Sequence, residues 1–185
     1  MEPLGRRRFM EGAALGALAF TVGGVETLLT PREARAQGVP LRTLRPEEAQ
    51  TLEALGETLV PGARQAGVVH FVDQQLSVPP EEALLQARIL NVRPPFVNFY
   101  RATLGAVDRA SAAGGKRFAE LDASAQHDFV DRMRQNKVEG WQGPAGSFVY
   151  LVARSDAVDA VYGTMDGYAR LEIPYMAHIE PKTRW

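Results

Sequence analysis

Pro46-Glu47-Glu48-Ala49-Gln50-Thr51-Leu52-Glu53-Ala54-Leu55-Gly56-Glu57-Thr58-Leu59-Val60-Pro61-Gly62 is the stretch that decides the fold. Proline stands at the first turn, where its missing N–H costs nothing, and two carboxylates follow it at the positive end of the helix dipole. Ala49, Leu52, Leu55 and Leu59 step by three and four, so they share one face. Val60-Pro61-Gly62 ends the run. A helix with one apolar stripe must bury it against other elements, so the rest of the chain has to supply them.

The residues downstream repeat the same period. Ala66 to Leu76 reads as a second helix, with Val68, Val69, Phe71, Val72 and Leu76 apolar, and Pro79-Pro80 breaks it. Glu81 to Leu90 reads as a third. Pro94-Pro95 interrupts, and Phe96 to Ala113 resumes the pattern with Phe96, Phe99, Tyr100, Leu104 and Val107. Gly114-Gly115 is a turn. Asp122 is placed to cap a fifth helix that runs to about Gln135 and buries Phe129, Val130 and Met133. Gly140-Trp141-Gln142-Gly143-Pro144 is a loop. Phe148 to Val152 would suit a strand taken alone, but no second strand offers to pair with it. It therefore reads as the start of a buried helix continuing through Val158, Val161 and Tyr162. The expectation is an all-α fold, a single compact helical domain of about five to six helices over residues 46–162. A linker over 37–45 precedes it, and an extended, irregular C-terminal tail over 163–185 follows. The tail holds Tyr168, Leu171, Ile173, Tyr175, Met176, Ile179 and Trp185, residues that disordered tails lack, so it is expected to lie on its own domain or on a partner.

The first 36 residues are of another kind. Arg6-Arg7-Arg8-Phe9-Met10 is followed by 14 uncharged residues from Gly12 to Val25, then by a helix-poor segment ending in Ala34-Arg35-Ala36. Basic, apolar, small-x-small is the order of an export signal. The apolar run falls short of the roughly 20 residues a membrane span needs. It is also weakly apolar, with Gly12, Gly16, Gly23 and Gly24 in it, and Arg32 and Arg35 lie near the cleavage site. Both features disfavour the general secretory route. Arg6, Arg7 and Phe9 resemble the twin-arginine signal, an address read by a receptor, and Ala34 and Ala36 mark a cut after Ala36. Gly5 and Glu11 stand where Ser or Thr and Lys are common; neither touches the arginine pair. That route carries folded proteins into the periplasm.

Removing 36 residues leaves 149, the size of one ordinary domain. The leader carries five Arg and four Glu, so its loss takes the net charge from −1 to −2. This balance gives no electrostatic reason to bind nucleic acid. The chain has no cysteine. That excludes disulfides, thiolate metal sites, haem attachment through C-x-x-C-H, and a cysteine nucleophile. His70, His127 and His178 are far apart, and H-E-x-x-H and Glu-x-x-His are both missing. His70 and Asp73 could pair on a helix face. His127 reads as solvated. Asp156 and Asp159, spaced by three, read as a solvated face or a polar patch at an interface. G-x-S-x-G, G-x-G-x-x-G and the P-loop are all missing, so a nucleophile elbow and a nucleotide cradle lack support. On these grounds catalytic, cofactor-binding and metal residues are expected to number none.

Pieces spread over about residues 44–185 carry a resemblance. They are Leu52-x-x-Leu55-x-x-Thr58-Leu59-Val60-Pro61-Gly62-Ala63; Ala66-Gly67-Val68 with His70-Phe71-Val72-Asp73-x-x-Leu76; Phe118-x-x-Leu121; Gly140-Trp141-x-Gly143-Pro144; Arg154-Ser155-Asp156-Ala157-Val158-Asp159; Val161-Tyr162-Gly163-Thr164; and Ile173-Pro174-Tyr175-Met176-x-His178-Ile179-x-Pro181. In this order, behind a twin-arginine leader, the chain resembles the gluconate 2-dehydrogenase subunit 3 family. Its tail departs from the Gly-Gly-Asn and Gly-Trp pattern of many members, which marks a sub-branch. The resemblance implies a small subunit that binds no cofactor. It implies a large partner subunit of the glucose–methanol–choline oxidoreductase type, which holds FAD and oxidises a sugar, sugar acid or alcohol. A cytochrome c subunit often takes the electrons. The resemblance further implies that, where the large subunit lacks a leader of its own, the small subunit supplies the twin-arginine signal for both, and the translocation machinery is then a further partner. Partner contacts are expected at Arg154, Asp156, Asp159, Tyr162, Tyr168, Pro174, Tyr175, Met176, His178, Ile179 and Trp185. The competing expectation is a free-standing helical periplasmic enzyme or ligand binder with a pocket near His178.

Overall fold

The computed structural model of the chain describes residues 16–172. Its first elements are a β-hairpin, β1 (Leu18–Val22) and β2 (Val25–Leu29), paired antiparallel with Val22 opposite Val25. Gly23 and Gly24 make the turn with φ of 57° and 83°, a left-handed pair that suits a two-residue hairpin. Helices α1 (Pro31–Ala36), α2 (Pro46–Leu59), α3 (Ala63–Ala66) and α4 (Val68–Gln75) follow. Then come α5 (Gln86–Ile89), α6 (Phe96–Ala112), a 3-10 turn at Phe118–Glu120, α7 (Ala123–Arg134), α8 (Gly146–Tyr162) and α9 (Met165–Arg170). The hairpin is the only sheet among the described residues. The fold is therefore all-α in its body, with short extra helices beside the long ones the sequence announces.

Helix α2 begins as its sequence dictates. Pro46 opens it, and the Glu48 carboxylate accepts from the Arg45 N–H at 2.9 Å. Leu52 and Leu55 are buried, and α2 touches α4, α6, α7 and α8. Helix α8 is its counterpart at the centre of the body. It is apolar on several sides, the pattern of a helix enclosed by others. Val152, Ala157 and Val161 join one core cluster with Leu52, Val68, Val72, Phe96, Tyr100 and Leu104. Val149 and Ala153 join a second with Leu55, Val107, Phe118, Phe129 and Met133. Asp122 caps α7 by accepting from the Ala125 N–H at 2.9 Å.

Four sequence expectations change. The stretch expected as a helix from Glu81 to Leu90 is helical only at Gln86–Ile89. Ala83, Leu85 and Ala87 are all fully buried while Leu84 between them is exposed, an alternation of period two. Side chains from elsewhere hold this backbone extended: the Gln75 Oε1 accepts from the Leu84 N–H at 2.6 Å, and the Asp156 Oδ1 from the Gln86 N–H at 2.9 Å. Secondly, 37–45 is pinned rather than a free linker. The Asp73 carboxylate accepts from the N–H groups of Arg42, Thr43 and Leu44 at 2.8, 2.9 and 2.7 Å, and Val39 and Leu44 are buried.

Thirdly, the end of the leader stretch is helical. Thr30 Oγ1 accepts from the Glu33 N–H, the Glu33 carboxylate accepts from the Thr30 N–H, and Pro31 takes the first position of α1. Phe20, Leu29, Ala34 and Val39 form a third apolar cluster, and α1 lies on α3 and α4. Fourthly, the tail begins as a helix: Thr164 caps α9 through the Gly167 N–H at 3.1 Å, and a Cβ at Gly167 would overlap the backbone of Tyr162. Among the described residues, no helix is long and apolar enough to cross a membrane.

Candidate functional site

Arg154, Asp156, Asp159 and Tyr162 all lie on α8, and Tyr168 on α9. Arg6, Arg7, Phe9, Pro174, Tyr175, Met176, His178, Ile179 and Trp185 lie outside the described residues. Successive side chains of a helix turn by about 100°. Leu151, Ser155, Val158 and Tyr162 therefore form one stripe along α8, with Arg154 on one flank and Asp159 on the other. Leu151 is 45% exposed, and Arg154 and Asp159 are exposed. Val158 and Tyr162 lean against the core with part of each still at the surface. Partial loss of water around the Asp159 carboxyl raises its pKa. The result is an apolar ridge between a cation and a carboxylate, the composition of a surface that another protein can grip. Leu151 was not among the expected contact residues. The same three-and-four spacing that placed α8 would have found it.

Asp156 departs from expectation. It is 1% exposed, so it belongs neither to a solvated face nor to the outer surface. The Tyr100 hydroxyl donates to its Oδ2 at 2.6 Å and the Gln86 N–H to its Oδ1 at 2.9 Å. One carboxyl thus ties α6 and the extended lead-in of α5 to α8. Burial pushes its pKa up to about 7 against the two hydrogen bonds, which favour the charged form. Burial, with the Asp156 charge next in weight, also lifts the Tyr100 phenol well above its ordinary range. Such a perturbed pair can mark an active site. Here both acceptor oxygens are occupied by structural donors, and the arrangement reads as a tie between elements.

His70 does not hydrogen-bond to Asp73. Its Nε2 meets the Val39 carbonyl at 3.1 Å, which makes Nε2 the protonated nitrogen, and its buried Nδ1 has no partner among the described residues. Burial lowers its pKa. His127 is exposed, as expected. An ionic tie joins the Arg117 guanidinium to Asp108 at 2.7 Å, with Thr51 Oγ1 also donating to Asp108 at 2.8 Å. A cleft of about 570 Å³ opens beside Ser111, Phe129, Arg132 and Lys137. Its one hydroxyl nucleophile, Ser111 Oγ, is committed to the Val107 carbonyl of its own helix at 2.7 Å. Among the described residues, no group of three or more His, Cys, Asp or Glu is gathered so as to hold a metal ion.

The buried carboxylates Asp73 and Asp156 hold backbone N–H groups, and α8 presents its ridge at the surface. The model of the family described as gluconate 2-dehydrogenase subunit 3 matches residues 46–172. The chain belongs to that family. No curated protein and no solved structure matches it significantly. The matched residues open at α2 and close after α9, so they span the whole helical body and the α8 ridge. A gluconate 2-dehydrogenase subunit 3 protein is, by that description, a subunit of a multi-subunit dehydrogenase. The hairpin and α1 stand before the matched residues.

Proposed function

We propose that the chain is the non-catalytic small subunit of a periplasmic flavoprotein dehydrogenase. It escorts a large subunit of the glucose–methanol–choline type, which carries FAD, through twin-arginine export, and it steadies that subunit afterwards. A cytochrome c subunit completes the electron path in such an assembly. One observation carries this reading: α8 presents Leu151, Val158 and Tyr162 between Arg154 and Asp159, while the buried Asp73, Tyr100 and Asp156 spend their polar atoms on the fold. An apolar ridge flanked by opposite charges is suited to docking. Support also comes from the Arg6-Arg7-x-Phe9 signal, because FAD loading in the cytoplasm requires a route that carries folded protein.

The test is co-expression with a candidate FAD-bearing large subunit of the glucose–methanol–choline type. Leu151→Glu combined with Arg154→Glu alters only exposed positions, so the purified small subunit should keep its melting temperature. Recovery of the two subunits together should fall by about tenfold or more, since hot-spot residues each contribute at least about 1–2 kcal/mol. Unchanged co-purification would remove the ridge from the interface. Replacing Arg6 and Arg7 by Lys should strand both subunits in the cytoplasm; export of the large subunit regardless would defeat the escort role. Turnover by the isolated small subunit would overturn the whole proposal.

A further inference from the structure

The Ala34-x-Ala36 pair that reads as a cleavage site lies inside a packed element. Ala34 is fully buried against Phe20, Leu29 and Val39. Its carbonyl accepts from the Val39 N–H at 2.9 Å, so one hydrogen bond spans the Ala36–Gln37 bond where a peptidase would cut. A peptidase takes its substrate extended and unfolded, with the small side chains free to enter its pockets, and cuts exposed, loosely held segments first. Here that segment is a helix closed by a reciprocal Thr30–Glu33 cap.

The element is bound to the body at several independent points. The Val39 carbonyl meets His70 Nε2, and the Gln74 side-chain amide donates to the Ala19 carbonyl at 3.3 Å. Arg35 pairs with Glu53 at 3.5 Å and Arg32 with Asp166 at 3.4 Å. The segment also approaches closely at Gly67, whose φ is 81°. A Cβ there would overlap the Pro31 carbonyl, so glycine is what lets α1 lie down on the joint between α3 and α4.

We propose that residues 16–39 are a permanent strap of the folded subunit, and that the Ala36–Gln37 bond is closed to signal peptidase once the protein has folded. The exported subunit then keeps this segment. The consequence for export rests on the twin-arginine reading above; the strap itself does not.

Two measurements separate these layers. Intact mass of the subunit recovered from the periplasm should show a chain that retains Gly16 onward; a periplasmic chain beginning at Gln37 would overturn the proposal. Purified full-length protein should also resist trypsin at Arg32 and Arg35. Gly67→Ala should speed those cuts by about tenfold or more, because local opening governs cleavage. Gly62→Ala is the control: its φ of 92° imposes the same left-handed strain, but nothing lies within 4 Å of its added Cβ. It should leave the cuts slow. Equal rates in the wild type and in Gly67→Ala would overturn the strap. Leu29→Asp, which lies within the strap's own apolar cluster, makes the same comparison should Gly67→Ala fail to fold. A protein found only in the cytoplasm would sink the export reading, and the trypsin rates would still decide the strap.

Discussion

Asp156→Asn should change how stability depends on pH, and the size of the change follows from the structure. The carboxyl is almost fully enclosed, and its pKa stands at about 7 against an ordinary 3.8. Between those values the folded chain holds a proton that the unfolded chain has released. Stability from this group is therefore fully present below about pH 3.8 and is lost as pH rises through about 7. Each pH decade is worth about 1.4 kcal/mol, so the whole span amounts to about 4 kcal/mol at most. Asparagine stays neutral throughout, and its carbonyl can still accept from the Gln86 N–H. Its amide can donate to the Tyr100 oxygen, at the expense of turning the phenol proton away. The variant should match or fall below the wild type near pH 4.5 and exceed it by about 2–4 kcal/mol near pH 8. Urea unfolding of both proteins at three pH values, with midpoints compared at constant slope, measures this. Parallel stability profiles, or a wild type that gains on the variant as pH rises, would refute the burial argument.

Three further outcomes follow from the same geometry. Asp73→Ala strips three backbone N–H groups of their acceptor and should cost about 3 kcal/mol, whereas Asp73→Asn, which keeps the oxygen facing Thr43 and Leu44, should cost about 1 kcal/mol in chemical denaturation. Leu55→Ala empties a fully buried site between α2 and the Phe118–Phe129–Met133 cluster and should cost about 2–5 kcal/mol by thermal or urea unfolding. Burial lowers the His70 pKa below 6.5, so its contribution is intact above that value and is lost on acidification. His70→Gln should flatten the loss of strap protection below about pH 6.5, read by hydrogen exchange at Ala34 and Val39.

Each helix the sequence foretold well has its cause in its own residues. Pro46 and the leucine steps of α2, the Asp122 cap of α7, and the apolar run of α8 each act through neighbours three or four positions away. Short-range signals of this kind survive whatever surrounds them. The family pattern was legible for a related reason: it consists of these helix-defining pieces in order, and the match closes at α9. Of the proposed docking residues, Arg154 and Asp159 were readable as surface charges on a helix. Leu151 was available from the same wheel.

What the sequence could not settle were groups whose fate depends on a partner far along the chain. Glu81–Leu85 has helical composition, but 80–82 form a turn, Gln75 takes the Leu84 N–H, and Asp156 takes that of Gln86 just beyond, so 83–85 run extended. Asp156 and Asp159 look alike in sequence, three residues apart; packing put one against Tyr100 inside the core and left the other outside. Ala34-x-Ala36 has the letters of a cleavage site, and only the packing of Ala34 against Phe20, Leu29 and Val39 shows that the same small side chain fits a packed joint. The sequence determined an all-helical body of this family, because helical periodicity is local. Tertiary structure alone decided which carboxyl is buried and whether the N-terminal segment is strapped down, because desolvation and close approach are properties of the assembled core.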